Sequence, residues 1–124
     1  MIKRLLDSVI LIDHLNGIEK ATRFILELQP EQTAVSVITR AEILAGLKED
    51  DKKVVVPLLD QYKLLIIDQP VADMAANLRR VHRWKLPDAF QAALALHHKI
   101  KLTTHNTKDF DPKKFDFVEI PYTF

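Results

Sequence analysis

The chain contains no cysteine, which excludes disulfides, a thiolate nucleophile and a thiolate-bound metal. That fits a reducing cytoplasm. Net charge is scarce as well. At +1 over 124 residues, the molecule is no polycation, and any RNA or DNA it binds must meet a local basic patch. Long apolar runs are missing, and nothing approaches the roughly 18–20 residues of a membrane span. The opening MIKRLLDSVILIDHL is basic and then apolar, but Asp7 and Asp13 interrupt it and no small-residue cleavage site follows, so it does not read as a signal peptide. Internal repeats, low-complexity tracts and linkers are also lacking. What is present is 48% hydrophobic and 28% charged, the profile of one cytoplasmic globular domain spanning residues 1–124.

Strand and helix signals alternate along the chain. Residues 3–7 read as a buried strand, followed by a helix with Ser8 as N-cap that ends at Asn16-Gly17. A helix over 18–29 stops at Pro30, and residues 33–37 form a second strand. Thr39 and Glu42 have capping-box spacing at the start of the next helix. The cluster EDDKK at 49–53 reads as a solvated turn before a helix over 54–62. A third strand is expected at 64–67, then a helix from Asp68-Gln69-Pro70 to about Trp84, and another from Pro87-Asp88 to His98. Strands at 100–103 and 116–120, the last at the sheet edge, complete the pattern. Such alternation predicts an α/β fold: a central, mainly parallel five-stranded sheet flanked by helices.

Crossover handedness places every strand-to-helix turn of such a sheet at one edge, where ligands bind. Asp7, Asp88 and Asp109 fall there by sequence, and Glu42 reaches it from the first turn of its helix. Each has an ordinary explanation when taken singly: a strand end, a capping box, a favourable charge in a first helical turn, a loop acid. Together they would repel one another unless a cation joined them. The combination points to Mg²⁺, with Mn²⁺ as an alternative, and hence to phosphate chemistry. Ser8, Thr104 and Asn106 are placed to support the acids or bound waters.

The segments LLDSVILID, SVITRAEILAG, LPDAFQAALAL and LTTHNTKDF, taken in this order, resemble the PIN-domain nucleases, and most of all the VapC-type toxins of toxin–antitoxin pairs. The similarity runs over essentially the whole chain. It implies a Mg²⁺-dependent endoribonuclease hydrolysing phosphodiesters with a metal-activated water, inhibited by a partner antitoxin and forming a homodimer. Asp7 and Asp88 match the family's metal-binding acids and Glu42 its acid in the TRAEILAG-like helix. Ser8 matches the small hydroxyl residue after the first Asp. Either Asn106 or Asp109 occupies the fourth position, with Asp109 preferred for its charge. One departure is HRWKLPD before the third acid, where relatives often carry a glycine and a polar stretch, so RNA access differs there. An inhibitor would place a basic side chain or a helix near the acids, and apolar helix faces within 43–62 would supply the dimer interface.

Arg79, Arg80, Arg83 and Lys85 form the densest basic segment, with Trp84 among them. They read either as a solvated helix face or as an RNA contact through Arg79 and Arg83, with Trp84 stacking on a base. His97-His98 are about 100° apart on a helix and do not suit one ion. His14 and His105 stand near Asp7 and Asp109 in sequence and offer at most a supporting or substrate contact. Three other functions compete. One is a Mg²⁺-dependent phosphoacceptor receiver domain, disfavoured because no adjacent acid pair follows the first strand. Another is an Asp-Xaa-Asp phosphatase, disfavoured because Ser8-Val9 follows Asp7. The third is a catalytically silent binding module for RNA or protein.

Overall fold

Arg4–Leu6 forms β1, the middle strand of five, and the alternation of a strand divides its side chains between two cores. Leu5 packs into one core and Leu6 into the other, and neither retains exposed surface. The neighbouring strand β2 (Thr33–Ser36) repeats the division with Ala34 and Val35. This is the apolar run of a parallel strand covered on both faces. The computed structural model describes residues 1–124. It adds β3 (Lys63–Leu65) beside β2, β4 (Lys101–Thr103) beside β1 and β5 (Val118–Glu119) beside β4. The strand order is β3-β2-β1-β4-β5 and every ladder is parallel. Receiver domains follow the order 2-1-3-4-5, so the topology sets that rival aside.

Helices α1 (Ser8–Leu15), α2 (Glu19–Glu27), α3 (Val37–Ala45) and α4 (Glu49–Asp60) supply Ile10, Leu11, Ile25, Ile43, Val55 and Leu59 to the core under Leu6 and Val35. Helices α5 (Gln69–His82) and α6 (Leu86–His98) pack on each other and cover the opposite face with Val71, Ala75, Ala92 and Ala93. No helix is long and apolar enough to cross a membrane.

Several local details differ from the sequence expectation. Asp7, not Ser8, is the N-cap of α1, its carboxylate accepting a hydrogen bond from Ser8 N. Ser36, not Thr39, caps α3 by accepting from Thr39 N at 3.0 Å. The EDDKK cluster is no turn: it opens α4, whose first turn carries Glu49, Asp50 and Asp51. Acids there oppose the positive end of the helix dipole, and a charge run can stabilise a helix start as readily as a loop. Strand β3 sits one residue earlier and ends two sooner than expected, leaving Ile66 66% exposed. Helix α5 stops at His82 because Arg83 takes a left-handed conformation, φ 60°.

From β1 the chain moves outward through β2 and β3, then returns to the other side of β1 as β4. The order of connection therefore reverses between β1 and β4. Crevices of this kind bind ligands outside the carboxyl ends of the strands. Asp7 follows β1 and Thr104 follows β4, one on each side of the reversal.

Candidate metal centre

Asp7 is 3% exposed, and every bond it makes is set by its place at the end of β1. Oδ1 accepts from Ser8 N at 2.9 Å and from Gln91 Nε2 at 3.3 Å, and Oδ2 accepts from the Thr104 hydroxyl at 2.8 Å. Burial nevertheless raises its carboxyl above the usual range, partly offset by these bonds and by the attraction of His105. The Thr104 hydroxyl also accepts from Asn106 N at 3.0 Å. Asn106 in turn donates its Nδ2 to Asp109 Oδ2 at 3.1 Å. The loop after β4 is thereby tied to the carboxylate after β1.

Glu42 lies on α3 just beyond the capped first turn. Its carboxyl is raised by partial burial and then by repulsion from Asp7, with the Ser8 hydroxyl acting in the opposite direction. Asp88, half-buried in the first turn of α6, is pushed up to about 6. Burial is the largest cause, followed by the charges of Asp7, Asp109 and Glu42, while Lys85 opposes them. The expected acids therefore stand close enough to feel one another, drawn together from β1, α3, α6 and the loop after β4.

The donor set fits a hard divalent cation. Carboxylate oxygens are the ligands Mg²⁺ and Mn²⁺ prefer, and a double positive charge would offset the burial, and at Glu42 and Asp88 also the repulsion, that lift these carboxyls. No three histidine, aspartate or glutamate side chains are grouped tightly enough to cage an ion by themselves. Mg²⁺ itself takes only one or two carboxylates and keeps several waters. The acids do not share an enclosed cavity. Glu42 borders a groove of about 260 Å³ with Ile12, Leu15, Ile43 and Leu47. Asp109 borders a separate cleft of about 410 Å³.

Trp84 requires a correction: it is 5% exposed and cannot stack on an incoming base. Its ring lies against His82, Phe110 and Phe115, at centroid distances of 4.4, 4.8 and 5.3 Å. Its Nε1 donates to the carbonyl of Asp109 at 3.1 Å, so it anchors the loop that carries the fourth acid. Arg79 Nη1 donates to the Trp84 carbonyl at 2.8 Å. Arg79 and Arg83 remain exposed, but they do not form one helix face, because α5 ends between them.

His14 is held by Thr22 at 2.9 Å, and His105 Nε2 lies 2.8 Å from Asp13 Oδ2. His97 and His98 are exposed at the far end of α6. The sequence reading missed Gln91, which is 1% exposed and bonded to both Asp7 and Thr39. Its signal was there: Gln91 is the one polar residue in AFQAALAL, three positions after Asp88 and on the same face of the helix.

An all-parallel sheet with this strand order belongs to the open α/β class, in which ligands bind outside the carboxyl ends of the strands at the switch point. Residues 4–116 match the PIN domain family. The chain belongs to that family. It is 30% identical over 112 residues to ribonuclease VapC10 of Mycobacterium tuberculosis, an alignment covering 86% of this chain and 84% of the relative. Among solved structures, it is similar to a chain of a toxin-antitoxin complex from Klebsiella pneumoniae, with a TM-score of 0.88 and 35% identity over 98% of this chain and 100% of that one. FitAcB from Neisseria gonorrhoeae gives 0.79 and 25%, covering 95% and 97% of the two chains.

Proposed function

We propose that the protein is a Mg²⁺-dependent endoribonuclease, with Mn²⁺ able to substitute, and that it is the cytoplasmic toxin of a toxin–antitoxin pair. The observation that carries this reading is the convergence of Asp7, Glu42, Asp88 and Asp109: burial first, and then the charges of the other three, push Asp88 up to about 6. Likeness to a ribonuclease and to a chain of a toxin-antitoxin complex supports the same reading.

Asp7 and Asp88 would hold the ion, and Glu42 and Asp109 would orient what surrounds it. The bound ion would supply positive charge against the scissile phosphate and lower the pKa of a water, making hydroxide available near neutral pH as the nucleophile. Thr104 donates to Asp7 Oδ2, the backbone amide of Ser8 donates to Asp7 Oδ1, and Asn106 steadies Asp109. The N-terminus of α6 adds its positive dipole end beside Asp88, favouring both carboxylate and phosphate. Arg79 and Arg83 would meet the RNA backbone while Trp84 holds Asp109 in place. Reversing both arginine charges is then expected to weaken RNA binding and leave metal binding alone. The groove beside Glu42, with Ile12 and Leu15 exposed on its wall, offers an antitoxin helix an apolar seat. The homodimer would use helix faces within 43–62, where Val54 is 75% exposed.

The test is incubation of the partner-free protein with single-stranded and structured RNA, in Mg²⁺ or in EDTA, alongside Asp88→Asn. Cleavage that needs the metal and disappears in the variant supports the reading. Equal cleavage by wild type and variant would overturn it. Cation uptake without cleavage of any RNA would favour the silent binding module.

A further inference from the structure

One buried side chain joins three of the elements that carry the acids. Gln91, in the second turn of α6, is surrounded in its own helix by the buried residues Ala89, Ala92, Ala93 and Leu94. Its Nε2 is shared between Thr39 Oγ1 on α3 at 2.7 Å and Asp7 Oδ1 after β1 at 3.3 Å, while its Oε1 is buried with no partner. Turning the amide over would set Oε1 against a carboxylate oxygen, so the donor faces Asp7. Thr39 is itself held by Ser36, whose hydroxyl donates to Thr39 Oγ1 at 3.4 Å. The chain Ser36–Thr39–Gln91–Asp7–Thr104–Asn106–Asp109 thus runs along the carboxyl edge from the end of β2 to the loop after β4 in unbroken hydrogen bonds. A buried carbonyl left without a partner destabilises a fold, and packing alone would be met better by an apolar residue.

We infer that Gln91 is a positioning and metal-selectivity residue: by occupying Oδ1 of Asp7 it leaves Oδ2 as the oxygen open to a cation. A carboxylate has about four lone-pair sites. Ser8 N and Gln91 fill those of Oδ1, and Thr104 fills one of Oδ2. Asp7 would therefore offer an ion one oxygen only. Single-oxygen contact suits Mg²⁺, which demands a small, near-octahedral shell, and disfavours Ca²⁺, which readily takes both oxygens of a carboxylate at longer range. This inference rests on the metal site proposed above and assigns the residue that sets its selectivity.

The experiment is calorimetric titration of Mg²⁺ and of Ca²⁺ into the full chain, freed of metal and partner, for wild type and Gln91→Met. Methionine keeps the length and apolar bulk and removes the donor. Mg²⁺ affinity is expected to fall about tenfold, in the range seen when a residue that orients a ligand is lost. Ca²⁺ affinity should fall less or rise, so the Mg²⁺-to-Ca²⁺ ratio drops. The circular dichroism and melting of the variant should match or exceed wild type. Equal losses for both ions would mark Gln91 as merely structural and overturn the inference, as would unchanged affinities. If Gln91→Met does not fold, Thr39→Val removes the hydroxyl that holds the amide. The ratio should then drop in the same direction by a smaller factor, and an unchanged ratio overturns the inference. Absence of cation uptake by wild type would overturn the metal site itself and the inference with it. A wild type that binds beside a variant with the same ratio overturns the inference alone.

Discussion

Among the acids, Asp88 is lifted by burial first and then by the charges of Asp7, Asp109 and Glu42. Its carboxyl titrates at about 6 in the folded chain against 3.8 as the reference value for an unfolded one. A raised acid binds its proton more tightly in the fold, so its contribution to stability is full below 3.8 and is lost as pH rises through about 6. Without metal, Asp88→Asn should therefore melt higher than wild type at pH 7, and the gap should close as pH falls toward 4. Paired melting curves in EDTA across that range check the sign. A gap that widens toward acid would show that Asp88 is stabilised as the anion. In the RNA assay the same variant should lose more than about 100-fold of activity, beyond the usual loss from a residue one layer removed from a metal. Trp84 belongs to the same scale but acts through packing. Trp84→Phe keeps most of the ring contacts and loses the bond to the Asp109 carbonyl, and should cost about 1 kcal/mol in urea denaturation. Trp84→Ala opens a cavity against Phe110 and Phe115 and should cost about 3–5 kcal/mol.

At the scale of elements, the start of α3 decides where Glu42 points. Two overlapping caps are written in the sequence, Ser36 to Thr39 and Thr39 to Glu42, each three residues apart. The first wins because Ser36 is the last residue of β2 and is still extended, φ −87° and ψ 161°. That frees the Thr39 side chain for Gln91 and leaves Glu42 to face Asp7. Ser36 is fully buried, so Ser36→Ala strands the amide of Thr39 where water cannot replace the cap. A loss of about 1–2 kcal/mol is expected by urea denaturation. Hydrophobic period made most elements legible in advance, since Leu5, Leu6, Ala34 and Val35 advertise a sheet covered on both faces. The acids were legible because strand ends and first helical turns must share one edge. What stayed hidden depends on contacts far apart in the chain. EDDKK has the composition of a turn, and helix α4 absorbs it because its acids fall at the positive end of the dipole. Trp84 has basic neighbours and looks exposed until Phe110 and Phe115, more than twenty residues on, close over it. Gln91 meets Asp7 across 84 positions, a pairing that no local pattern announces.

The whole molecule divides into two apolar cores, one on each face of the sheet, with the acids along the seam between them. Strands β1 and β4 are only three residues long, so their ends lie close to both cores. Asp7 is consequently buried as deeply as a core residue, and its burial works against its charge. A cation bound there would favour carboxylate charge that burial opposes, and Asp7, Glu42 and Asp88, which would hold it, arrive from both layers. Binding should then appear as global stability and not as local ordering alone. Mass action sets the size: at 100 times its dissociation constant, a cation that binds only the folded chain adds about 2.7 kcal/mol. Urea denaturation of the partner-free protein, with and without saturating Mg²⁺, should show the midpoint rising with an unchanged slope, because no extra surface is buried. The gain should be larger at pH 7 than at pH 5, where Asp88 holds its proton and the ion must displace it. Asp88→Asn should lose most of the gain at pH 7. A midpoint indifferent to Mg²⁺ in the wild type at pH 7 would mean that the carboxylates repel one another for some purpose other than holding a cation.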